Sequence, residues 1–193
     1  MIMMTTFCQT FWQSISNTFF TIIGACLTYC YQKKISKDDE QKRIFGFLIS
    51  VKAEISGVWN RYYEEVGSHV ENLQDHTGFD SYYPIFDRYF VVYDSNTNLL
   101  GELTQDLSEL IVETYLLAKG LKDSFLFNND LLAKTTYYHD LSQESRSEHY
   151  KIQHAYYVKM CQNYGVAIKE MHFRLKENQK DLISLINKQL KQK

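Results

Sequence analysis

The feature that most constrains this chain is its beginning. From Met1 to Gln32 no side chain is charged, and Lys33, Lys34 and Lys37 follow at once. As a helix, Phe7 to Tyr31 would measure roughly 37 Å, enough to cross a hydrocarbon layer of about 30 Å with some tilt. A cleaved signal would need a basic start ahead of its apolar run, and none is present. The segment is therefore expected to be a retained transmembrane helix covering 1–32. Lysines directly after it place the remainder, 33–193, in the cytoplasm.

The expected span is unusually polar. Gln9, Gln13, Asn17, Thr21 and Ala25 recur every four residues, with Ser16, Gly24 and Thr28 beside them, so these positions share one helical face. Phe7, Phe11, Ile15, Phe19, Ile22 and Leu27 take the opposite side. A lone helix would place amides in lipid, where each unsatisfied polar group costs several kcal/mol. Self-association resolves the conflict, with small residues such as Gly24 and Ala25 allowing close approach. Gln9, Gln13, Ser16, Asn17, Thr21, Gly24 and Thr28 are accordingly the candidate pore-lining positions. A small tight oligomer and a helix lying flat in the interface are the alternatives, although the polar face lacks the Lys and Arg usual for the latter.

Beyond residue 33 the pattern is helical throughout. Ile44, Leu48, Val51, Ile55, Val58, Tyr62, Val66, Val70 and Leu73 step by three or four, predicting a helix of about 37 residues that continues from the first segment as a stalk. Asp75-His76-Thr77-Gly78 ends it, and Pro84 opens a short segment through Tyr93. Asp94-Ser95-Asn96 reads as a capping cluster before a helix marked by Leu99, Leu103, Leu107, Leu110, Ile111 and Tyr115 that stops near Gly120. A short helix is expected from Phe125 to Lys134. A long one is expected from about 141 to 190, marked by Ile152, Tyr156, Met160, Tyr164, Ala167, Met171, Leu175 and Leu182. The expected fold class is thus all-α, a helical bundle framed by two long helices behind a transmembrane helix.

Charge excludes some functions. With 21 Lys and Arg against 23 Asp and Glu, the chain lacks the basic excess of a general nucleic-acid binder. The distribution is uneven: residues 85–148 carry eleven acidic and five basic side chains, whereas 169–193 carry seven basic and three acidic. Cys8, Cys26, Cys30 and Cys161 form no CxxC or Cys/His cluster, so neither a metal site nor a disulfide framework is expected, and no cofactor motif appears. The pairs Tyr82-Tyr83, Tyr137-Tyr138 and Tyr156-Tyr157 could stack bases, but without a basic groove packing is the better account. The remaining chemistry is Arg146, His149 and His154. Histidine can move a proton and arginine can stabilise a phosphorane, the needs of metal-free RNA cleavage. The helical nucleases of the HEPN class place four to six residues between Arg and His. Here Arg146 and His154 have seven between them, and Arg146 and His149 only two. A polar helix face is the competing reading.

In layout, with Val92-Tyr93-Asp94-Ser95-Asn96, Leu99-Leu100-Gly101-Glu102-Leu103 and a helix centred on Tyr115, the chain resembles the membrane accessory proteins of type VI-B CRISPR systems. These accompany an RNA-guided, RNA-cleaving effector. The resemblance implies a divergent HEPN-like domain and a homo-oligomeric ring in the bacterial inner membrane. It further implies a single span with its C-terminal domain cytoplasmic, and a role in antiviral defence by depolarising the cell. Partners would be further copies of the chain, the lipid bilayer, and the RNA-guided ribonuclease effector or its RNA products. Enzymatic activity would be lost or marginal. A membrane-tethered ribonuclease and a non-catalytic membrane scaffold are the alternatives.

Overall fold

The structure, a computed structural model, describes residues 2–74, 77–84, 89–145 and 147–191, and side chains from Thr21 onward except that of Ile22. Its order is helix α1 (Ile2–Tyr62), a π turn (Tyr63–Gly67), α2 (Ser68–Glu71), α3 (Val91–Ser95), a 3-10 turn (Thr97–Glu102), α4 (Gln105–Ser145) and α5 (Glu148–Lys191). No strand occurs among the described residues, so the all-α expectation holds. The chain divides into two compact units, Met1–Phe45 and Gly46–Lys193.

The first unit is helix alone. Every described side chain from Thr21 to Arg43 is exposed, including Ile23, Leu27, Tyr29, Tyr31 and Ile35. The helix has the length expected of a span but not the apolarity. Among the described residues, no helix is long and apolar enough to cross a membrane. The reason is in the sequence: Gln, Asn, Ser and Thr interrupt the apolar positions at every turn.

The second unit has a closed core. Leu48, Val51 and Ile55, and then Tyr62, Val66 and Val70, are buried at three- and four-residue steps with half-buried Val58 between the two runs, as the periodicity predicts. Against them pack α4 and α5, an antiparallel hairpin whose partners run from Ser124 with Met171, through Phe127 with Tyr164 and Thr135 with Cys161, to His139 with His154.

Three expected boundaries are corrected. Asp94 and Ser95 lie inside α3, Asn96 makes no side-chain cap, Leu99 falls in the 3-10 turn, and α4 begins only at Gln105. The helix expected to stop at Gly120 runs on as one 41-residue element. Leu117, Ala118, Leu121, Phe125, Asn128 and Leu131 keep the buried face in phase across the glycine. A single interior glycine costs only about 1 kcal/mol, less than burying one of those side chains returns. Conversely, residues 141–145 belong to α4, and the last helix begins at Glu148 instead of 141. Ser145 marks the turn: its hydroxyl donates to Leu141 O and accepts from Ser147 N.

Residues 77–84, between α2 and α3, are tied to the hairpin by backbone contact. A Cβ on Gly165 would lie 2.5 Å from Thr77 O and 2.9 Å from Phe79 N, so only glycine lets this segment lie directly on α5. From α4, Asn128 Nδ2 donates to Phe79 O, and Asn129 both donates to Tyr83 O and accepts from Tyr83 N. Phe79 is thereby held in the core, edge-on to Phe125 at 5.2 Å.

Candidate functional site

The residues singled out for chemistry are not assembled into one centre. Arg146 lies outside the described residues. His149 is exposed near the start of α5, its ring edge-on to Tyr150. His154 is half-buried and meets His139 of α4 across the hairpin, ring centroids 5.1 Å apart. Sequence reasoning missed His139, because a partner 15 residues away is set by hairpin register and not by helical spacing. The tyrosine pairs split in the same way. Tyr138 stacks flat on Tyr157 at 5.3 Å, whereas Tyr82, Tyr137 and Tyr156 face solvent. Of the positions assigned to a pore lining, the side chains of Gln9, Gln13, Ser16 and Asn17 lie outside those described; Thr21, Gly24 and Thr28 are exposed. The Thr28 hydroxyl donates to Gly24 O within the helix, which satisfies it without a partner molecule.

The most densely connected polar centre lies where α1 passes into α2. The helix gains a residue there, forming the π turn Tyr63–Gly67, a distortion frequent at functional sites. Gly67 permits it: a Cβ there would come within 3.0 Å of the Tyr62 ring. Tyr62 is thus placed to hydrogen-bond Nδ1 of His172 on α5 at 2.8 Å. His172 is wholly buried, its ring between Trp59, Tyr62 and Tyr63. Its Nε2 has no hydrogen-bond partner and faces the Glu71 carboxylate at 3.9 Å. Glu71 in turn accepts from Lys176 and from the Tyr63 hydroxyl.

Burial and electrostatics act on each member. Desolvation holds the His172 imidazole below its ordinary value, with Glu71 opposing and Lys176 assisting. It pushes the Tyr62 phenol well up. The hydrogen bond from Lys176, and then that from Tyr63, holds Glu71 below the usual carboxylate range. The neutral imidazole fits a proton on Nε2, toward the carboxylate, with Tyr62 donating to Nδ1. Because His172 has no exposed surface, it cannot meet a substrate. The cluster is an internal polar lock joining the end of α1, α2 and α5.

A second carboxylate plays a similar part. Glu54 accepts hydrogen bonds from Val92 N, Tyr93 N and the buried Tyr115 hydroxyl, fixing the start of α3 to α1 and α4. Burial, then the bond to Glu54, raises the Tyr115 phenol. Among the described residues no group of three or more His, Cys, Asp or Glu is placed to hold a metal ion. No family model, curated protein or solved structure matches this chain.

Proposed function

We propose that this chain is a self-assembling membrane protein whose N-terminal helices associate through their polar face to form a pore, with the helical bundle on the cytoplasmic side. The observation that carries this reading is the first unit. It is a helix without charge over its first 32 residues, exposed at every described side chain from Thr21 to Arg43. Exposed Ile23 and Leu27 call for lipid or protein cover. The polar positions at every fourth residue call for a partner that is not lipid. Sister helices around a lumen satisfy both needs, and they also account for a helix too polar to cross alone. Lys33, Lys34 and Lys37 favour the cytoplasmic side for the bundle.

The further reading, an accessory of RNA-targeting CRISPR defence that depolarises the bacterial inner membrane, is supported by the resemblance in layout alone. A divergent HEPN-like character of the bundle has the same support. The ribonuclease alternative has less to draw on, because His149 and His154 meet different neighbours.

The test is depolarisation, followed by a potential-sensitive dye in cells expressing the chain. Gln13→Leu with Asn17→Leu is expected to cut the signal at least tenfold while leaving expression unchanged. Undiminished depolarisation in that double variant would overturn the pore. A dimer in detergent, in place of a ring, would favour the enzyme or the scaffold.

A further inference from the structure

Beside the polar lock, and within the second unit alone, lies a narrow cleft lined by α1, α4, α5 and the side chains of Tyr83, Tyr89 and Phe90. Its empty space, solvent mouth included, is about 570 Å³. Six aromatic rings wall it: Trp59, Tyr62, Tyr83, Tyr89, Phe90 and Phe125. They are mutually oriented, Tyr83 on Phe125 at 5.1 Å and Trp59 on Tyr62 at 5.5 Å. Rings in contact with one another make a continuous apolar wall on which a flat apolar body can stack.

Three polar side chains line the cleft beside this apolar wall, and none has a hydrogen-bond or ionic partner among the described residues. Gln179 of α5 is 8% exposed and its amide is unbonded. The Tyr89 hydroxyl is buried and likewise unbonded. Lys122 of α4 is half-buried at the lining and forms no ion pair. The contrast with their neighbours is informative. The Tyr62 hydroxyl is taken by His172 and that of Tyr83 by Glu65, so the cleft's other phenols are spent. The buried Tyr89 hydroxyl left open costs about 1–3 kcal/mol. A cation, a phenol and an amide together offer several donors to one acceptor-rich, anionic head.

We infer that this cleft is a binding site for a small aromatic carboxylate, its ring against the aromatic wall and its carboxylate met by Lys122, Gln179 and Tyr89. The site is independent of the assembly proposed above.

The probe is phenylacetate, with toluene and acetate as its two halves and octanoate as a non-aromatic acid. The protein is the full chain carrying Trp12→Phe, which leaves Trp59 as the reporter in the wall. Phenylacetate is expected to change Trp59 emission saturably and to raise Tm by mass action, with each half alone binding at least tenfold more weakly. Lys122→Met is expected to weaken phenylacetate about tenfold and leave toluene unchanged. Ala118→Met, which fills the cleft from α4, is expected to abolish both responses while the ligand-free Tm stays at or above that of the parent. The inference is overturned by no saturable response to phenylacetate, by an equal response in the Ala118→Met protein, or by a Lys122→Met effect no larger on phenylacetate than on toluene. Octanoate binding tenfold more tightly than phenylacetate would overturn the aromatic assignment.

Discussion

The two units of this chain are built from the same kind of helix and reach opposite outcomes. From Thr21 to Arg43 every described side chain is exposed, apolar ones included. From Gly46 onward the apolar positions are buried in phase, and Val51, Ile111, Tyr115, Ile168, Leu182 and Ile186 have no exposed surface. Most helical stability in proteins comes from packing an apolar face, not from propensity. The second unit therefore carries its own stability, whereas the first leaves its described apolar side chains exposed.

The strongest way to break this comparison is a matched pair of truncations. Ile168→Ala removes a fully buried side chain and is expected to cost about 2–5 kcal/mol in chemical denaturation. Leu27→Ala, at 65% exposure in the first unit, is expected to cost less than about 0.5 kcal/mol by the same measure. Comparable costs at the two positions would mean that Leu27 is buried in the protein as purified.

A smaller effect tests whether polar ties also hold the second unit. Glu54→Ala leaves the Tyr115 hydroxyl and two backbone amides without their acceptor. It is expected to cost about 2–3 kcal/mol. Hydrogen exchange at Val92 and Tyr93 should rise at the same time. A stability loss without faster exchange there would show that Glu54 does not anchor α3.

The smallest effect expected is that of pH on the buried lock. The His172 imidazole is held below its ordinary value of about 6.5, so the unfolded chain takes up a proton first as pH falls. The stability linked to His172 is fully present above that value and declines as pH drops toward the folded-state one. Tm is thus expected to fall between pH 7 and pH 5.5, and less steeply in a His172→Gln protein. Equal slopes in the two proteins would remove His172 from the account.

The course of α5 shows how much of the fold is legible in the sequence. Its helical character follows from spacing, but the stripe read from apolar residues passes through Ile152, Tyr156, Met160, Tyr164 and Met171. The first two are exposed. Leu175 and Leu182 of the expected stripe are buried, and the rest of the buried face is Cys161, Gly165, Ile168, His172, Gln179 and Ile186, the eight alternating by four and three. Three of those eight look polar or featureless in sequence, and each has a reason that only contact supplies. Gly165 admits the backbone of Thr77 and Phe79, His172 meets Tyr62, and Gln179 faces the cleft. A regular 3–4 spacing that tolerates Gly, His and Gln was the available signal.

By itself the sequence determined an all-helical chain, a charge-free beginning and the buried face of the second half of α1. These depend on hydrogen bonds between residues four apart and on the period of apolar side chains, both local properties. The tertiary structure alone decided that α4 runs through Gly120, that His139 meets His154, that the π turn brings Tyr62 onto His172, and that six rings enclose a cleft. Each of these depends on which distant residues share a surface, and helical periodicity carries no record of hairpin register. The polar stripe of the first 32 residues stands between the two. Its periodicity is local, and in the assembly proposed above its partner is another copy of the chain.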